Sequence, residues 1–188
     1  MAVPTARQSQ MNFRELRRVL EESRSNKDVY QAIVDKPFSQ TVAAAELFLG
    51  FMCVFIGNPK KKQVKLMSSS DNDFYHQSIQ GYNFDSKNYH LSYLSDSDND
   101  IVKAILTGKP QFSDDWKSYT RRTSDPEQAR LNQANGGIAV NAVYPLDIEN
   151  GGALLFCFFN YQDSLGSAQK QFMKKYSHLV GEVLQAKA

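Results

Sequence analysis

"GGIAVNAVYPLDIENGGALLFCFFNYQDSL", residues 136–165, decides the fold. Two apolar stretches flank a polar tip, and Asn150–Gly151 supply the positive φ that a tight turn needs, so the run reads as a β-hairpin. The second arm carries no charge from Gly151 to Tyr161. On a strand, Ala153, Leu155, Cys157 and Phe159 point one way and Leu154, Phe156 and Phe158 the other. A strand with one wet face alternates polar with apolar residues. This one does not, so it belongs near the centre of a sheet covered on both faces.

What covers it is written on either side. Downstream, Phe172, Tyr176, Leu179 and Val183 form one stripe, widened by Met173, Val180 and Leu184, which predicts an amphipathic helix. Upstream, residues 11–36 carry Phe13, Leu16, Leu20, Val29, Tyr30 and Ile33 at helical spacing, with a break over "SRSNKD", 23–28. Residues 1–10 are expected to be disordered. "PFSQTVAAAELFLG", 37–50, predicts a second helix opened by Pro37 and ended by Gly50. "FMCVFIGNPKKKQVKLMSSS", 51–70, reads as another hairpin, its second strand half-exposed.

Residues 71–100 show no sustained period and are expected to form a long, partly ordered excursion. A short helix follows over 101–107, with Asp100 as its N-cap and Gly108 as its end. A short strand, "KPQFSDDW", and a helix or lid from Pro126 lead back to the opening hairpin. These segments are the only material left to roof the second sheet face, and an aromatic-rich roof over a sheet is how a small-molecule pocket is built. The alternative is that they complete a core. The expected architecture is therefore α/β (α+β). A central antiparallel sheet of five to six strands has helices on one face and a loop-roofed pocket on the other, with 37–188 as the domain. Whether 11–36 packs on it is left open.

Composition narrows the function. The 188 residues carry a net charge of +2, too little to imply a nucleic-acid partner. "RELRR" at 14–18 and "KKK" at 60–62 read as a solvated helix face and a solvated turn. The sequence has neither an apolar run long enough to enter a membrane nor a signal peptide, which predicts a cytoplasmic protein without membrane insertion. Cys53 and Cys157 lie in apolar strands with no Lys, Arg or His beside them, and read as buried free thiols.

In order, Ile101–Leu106, Thr107–Gly108–Lys109–Pro110, Tyr144–Pro145–Leu146, Asn150–Gly151–Gly152, Ala153–Phe159 and the closing helix resemble GAF domains over about residues 37 to 188. The resemblance implies a small-molecule sensing or protein-interaction module, often homodimeric through its terminal helices, acting on a signalling partner. "NYHLSYL", 88–94, is similar to the helix of bilin-binding members, but Tyr89 stands where their Cys would be, so no covalent bilin is expected. The Asn-Lys…Phe…Asp-Glu set of cyclic-nucleotide binders has no convincing match. The enzyme of this family, a free methionine sulfoxide reductase, works through closely placed cysteines, which Cys53 and Cys157 do not suggest.

Other chemistry is excluded by spacing. Asp96, Asp98 and Asp100 begin a calcium loop, but Ile101 takes the Gly position and Thr107 the Glu position. His76, His90 and His178 lack zinc spacing, so no metal site is expected. There is no phosphate loop and no assignable Ser-His-Asp set, so no catalytic residue and no cofactor is assigned. The candidate ligand residues are Trp116, Tyr119, Arg121 and Arg122 past the third strand, Asn141 and Tyr144 on the fourth, Cys157 on the fifth, and His90. Asn141, polar in an apolar strand, either caps a nearby loop or orients the ligand. Two arginines beside two aromatics would suit an anionic or planar molecule.

Overall fold

The computed structural model describes residues 6–23, 25–39, 47–80, 89–119, 125–159 and 165–188. Six strands form one antiparallel sheet in the order β3-β2-β1-β6-β5-β4. They are β1 (Leu49–Asn58), β2 (Gln63–Ser69), β3 (His90–Ser92), β4 (Gln111–Ser113), β5 (Ile138–Leu146) and β6 (Gly152–Phe159). The uncharged strand is β6, paired to β1 on one side and β5 on the other. Its position follows from solvation: a strand apolar on both faces loses free energy anywhere but the middle.

Behind the sheet lie α1 (Ala6–Glu22), α2 (Asn26–Ser39) and the closing helix α6 (Ser167–Ala186). Leu154, Phe156 and Phe158 meet Leu16, Leu20, Ile33, Met173, Tyr176 and Val180 there. The segment 11–36 is thus packed on the domain. On the front, Ala153, Leu155 and Cys157 join Phe51, Cys53 and Phe55 of β1 beneath α3 (Asp73–Ser78), α4 (Asp100–Thr107) and α5 (Pro126–Asn135). The front roof is therefore more helical than a loop cover.

Several local expectations are corrected. Helix replaces the unstructured tail from Ala6 onward, where Ala6, Arg7, Gln8 and Gln10 are good helix formers. Pro37 does not open a helix; it sits in the last turn of α2. Lacking an N–H, it leaves the carbonyl of Ile33 without its helical donor. The buried Tyr176 hydroxyl donates to that carbonyl at 2.7 Å. Gly50 lies within β1 rather than ending a helix. A β-bulge falls there, between Leu49 and Phe51. A Cβ at Gly50 would approach the Phe159 ring to 3.2 Å and the Cys157 carbonyl to 3.3 Å. Residues 40–46 of the expected helix lie outside the described residues. The N-cap of α4 is Asn99, whose Oδ1 accepts the Ile101 N–H at 2.9 Å; Asp100 is the first helical residue. Gly108 closes that helix at φ +63°.

Candidate functional site

Period-two alternation on β1 and β6 lays a floor of Phe51, Cys53, Phe55 and Leu155, extended by Leu66 of β2. Above it, Tyr75, Ser78 and Ile79 come from α3 and its end, Tyr89 from just before β3 and Ile101 from α4. Trp116, Tyr119, Ala129 and Asn132 complete the roof. They enclose a cavity of about 70 Å³. The Phe51 ring meets Tyr75 edge-on at 5.4 Å between centroids and Trp116 at 5.9 Å.

The roof is pinned by its own polar groups. Asn72 caps α3 by accepting the Tyr75 N–H at 3.0 Å, and its Nδ2 donates to the Gly50 carbonyl at 2.9 Å. Gln133 of α5 accepts the Trp116 N–H at 3.0 Å and donates to the carbonyls of Asp114 and Ile138. The Tyr89 hydroxyl donates to the Tyr119 carbonyl at 3.3 Å. At Gly136 the chain passes close to α3, where a Cβ would lie 2.9 Å from that of Ser78.

Among the described residues, no Asp, Glu, Lys, Arg or His lines the cavity. Three buried polar side chains on this face nevertheless lack a hydrogen-bond partner among the described residues: the hydroxyls of Tyr75 and Tyr119, and both amide atoms of Asn141. Their residues are 7%, 4% and 0% exposed. Ser69 and the Ser113 backbone approach the two phenols closely enough to favour ionisation slightly, yet neither makes a hydrogen bond of normal geometry. Burial dominates and drives both phenols well above their ordinary pKa, so both stay protonated. An unpaired buried polar group costs about 1–3 kcal/mol, which makes each of these three a place where a partner is missing. Asp100, 7% exposed at the edge of this layer, has its pKa raised by burial; its bond to Lys103 at 3.3 Å works the other way.

The candidates read from sequence divide. Trp116 and Tyr119 line the cavity. Asn141 and Cys157 face each other across β5 and β6 on the same side of the sheet, but not in the cavity wall. No loop caps Asn141 among the described residues. Tyr144 is corrected: its ring lies on the helix side, edge-on to Phe156 at 6.0 Å. A bulge between Ile138 and Val140 turns Ile138 to the front, away from the face that Val140, Ala142 and Tyr144 share. His90 pairs with Lys65 at the sheet edge, away from the cavity. Arg121 and Arg122 lie outside the described residues. The sequence reading missed Tyr75 and Asn132; a hydrophobic pattern cannot say which face of a short helix looks down.

Register also brings the two cysteines together. Cys53 pairs with Leu155 and Cys157 with Phe51, so the thiols are diagonal neighbours on one face. Such positions are about 7–8 Å apart, beyond the usual reach of a disulfide. Both are free, and burial pushes both thiols well above their ordinary pKa. Among the described residues, no three His, Cys, Asp or Glu side chains are grouped to hold a metal. No helix there is long and apolar enough to cross a membrane.

No protein-family model and no curated protein matches the chain. Solved structures do match. The GAF domain of a phosphoenolpyruvate-protein phosphotransferase from Coxiella burnetii superposes with a TM-score of 0.63 at 13% identity, over 98% of this chain and 97% of that one. The chain has the GAF fold. An Acinetobacter GAF domain from a phosphoenolpyruvate-protein phosphotransferase gives 0.62 at 13% identity, over 97% and 95% of the two chains. The free methionine-R-sulfoxide reductase of Neisseria meningitidis, solved with its substrate, gives 0.61 at 7% identity, over 99% and 93%. At such identities the GAF likeness is one of fold alone.

Proposed function

We propose that this GAF-fold protein is a sensory or regulatory module that binds a small molecule beneath the roof of α3, α4 and α5. The observation that carries the reading is the apolar cavity lined by Tyr75 and Tyr119, whose buried hydroxyls have no hydrogen-bond partner among the described residues. The part of the ligand that enters is uncharged, because among the described residues no carboxylate, amine, guanidinium or imidazole lines the cavity to pair with it. A volume of about 70 Å³ is roughly half that of the engineered cavity that takes up benzene. Anything larger than a few heavy atoms must lift the roof. That displacement is the signal: ligand affinity for the lifted arrangement biases the roof and, through β1 and β6, the terminal helices behind. A cytoplasmic setting, with a signalling partner protein, belongs to this proposal; two buried unpaired thiols suit a reducing compartment. The high thiol pKa values favour a non-enzymatic module over a cysteine-dependent reductase.

The small cavity also favours a second reading, a protein-interaction module with no ligand. Tyr119→Phe separates the two. It removes an unpaired hydroxyl, so the ligand-free protein is expected to gain stability, by about 1 kcal/mol or more. Under the sensor reading the variant also loses the thermal stabilisation given by any hit in a screen of nucleotides, tetrapyrroles, amino acids and aromatic acids. Silence of the native protein across that screen would favour the interaction module. A homodimer through the terminal helices is also proposed, in narrowed form. Met173, Tyr176, Leu179, Val180 and Val183 are buried within the protomer, while Lys174, Lys175, His178 and Glu182 face outward. Pairing would therefore use polar surfaces, and sedimentation equilibrium is expected to show dissociation as salt rises from 0.05 to about 0.5 M.

A further inference from the structure

A second concavity opens on the far side of Tyr75 and Ile79. It is a cleft of about 360 Å³ between α2, the end of β2 and α3, lined by Gln31, Asp35, Ser69, Ser70, Asp71 and His76 together with those two residues. Tyr75 and Ile79 line both spaces, so the wall between cleft and cavity is two side chains. The Tyr75 ring lies against Phe51 on the cavity floor. Its hydroxyl lies near the Ser69 side chain of the cleft and has no hydrogen-bond partner of normal geometry among the described residues, in a residue only 7% exposed.

The two spaces differ in charge. The described lining of the cavity has no acid or base, whereas that of the cleft has two carboxylates and the His76 imidazole but no lysine or arginine. Asp35 is held in place: Oδ1 accepts the Asp71 N–H at 2.9 Å and Oδ2 accepts Gln31 Nε2 at 2.7 Å. Gln31 is fixed in turn by the Ser69 carbonyl at 3.1 Å and by the Ser68 hydroxyl. Asp71 Oδ1 lies 2.9 Å from His76 Nε2. Each carboxylate keeps lone pairs for another donor.

We propose that cleft and cavity are two halves of one site for a small amphipathic amine. The ammonium group sits in the cleft on Asp35 and Asp71 and donates to the Tyr75 hydroxyl. A short apolar tail passes between Tyr75 and Ile79 into the cavity. An ammonium ion carries three donors and no acceptor, which suits two carboxylates and an idle phenol oxygen. The cavity's volume limits the tail to about four carbons unless the roof moves. The proposal rests on the cavity being a ligand site.

The test is titration of the full chain with n-butylamine, n-butanol and butyrate, followed by amide chemical shifts. Butylamine is expected to move resonances of both cleft and cavity residues and to bind about tenfold more tightly than butanol, with butyrate weakest. Asp35→Asn is expected to bring the amine down to the level of the alcohol. Asp71→Asn, whose side chain is 78% exposed, makes the same test should Asp35→Asn fail to fold. Amine and alcohol binding equally, or amine shifts confined to the cleft, would overturn the two-part site while leaving the cavity reading standing. No cavity shifts with either amine or alcohol would overturn both.

Discussion

Phe156→Ala is expected to remove about 3–5 kcal/mol of folding stability, a large part of the roughly 5–15 kcal/mol that holds a domain of this kind together. Phe156 is fully buried in the middle of the central strand, opposite Met52 of β1 and Ala142 of β5. Its ring stands edge-on to Tyr144 at 6.0 Å and to Phe172 of α6 at 6.1 Å. Truncation therefore leaves a void bounded on two sides by paired strands. Backbone hydrogen bonds hold those strands at fixed spacing, so the site cannot collapse. The loss is expected to appear as a fall of about 6–20 °C in Tm and an earlier urea midpoint by circular dichroism. Phe156→Leu should recover most of it. A cost under about 1 kcal/mol for the alanine variant would mean that the helix layer is not closely packed on β6.

Gly57→Ala is expected to be strongly destabilising for a single added methyl. An added Cβ would lie 2.2 Å from the Asn150 carbonyl oxygen, 2.4 Å from the Tyr93 hydroxyl and 3.1 Å from the Gly151 carbonyl oxygen. Two of these are backbone atoms of the β5–β6 tip, and the Gly57 N–H already donates to Gly151 O at 2.8 Å. Rotation of a side chain cannot relieve the contact; the tip itself must move, breaking that bond and the adjoining register of β1 against β6. Overpacking of this kind costs about 1–3 kcal/mol and more where backbone resists. Gly108→Ala is the control. Its φ is +63° and nothing lies within 4 Å, so the cost is that of a left-handed alanine alone, about 1 kcal/mol. Equal Tm losses in the two variants would refute the contact argument.

The back of the sheet was far more legible than the front. The α6 stripe and the two-faced apolarity of β6 repeat over many residues, and burying them in water-free surroundings has one economical solution. Trp116 and Tyr119 could be placed near the front because they follow a short strand in an aromatic-rich segment. Tyr75 could not, since α3 is six residues long and shows no period. Asn141 and Tyr144 are three residues apart on β5 and face opposite sides of the sheet, and alternation alone does not say which side carries the cavity. The bulges at Gly50 and Ala139 both lie against the end of β6, where each neighbour advances two residues while β6 advances one. A bulge is a property of a strand pair, and no single strand's sequence announces it.

The sequence alone determined the central place of "GGALLFCFF", the closing helix packed on one face and the two thiols as buried. These follow from local periodicity, turn chemistry and the cost of wetting apolar surface. Only the tertiary structure decided what depends on partners distant in the chain. Tyr176 supplies the donor that lets α2 run through Pro37. The Asn141 side chain is left without a hydrogen-bond partner among the described residues. Tyr75 and Ile79 stand between an uncharged cavity and an acidic cleft. Satisfaction of a buried polar group is a sum over everything that surrounds it, and a one-dimensional pattern does not contain that sum.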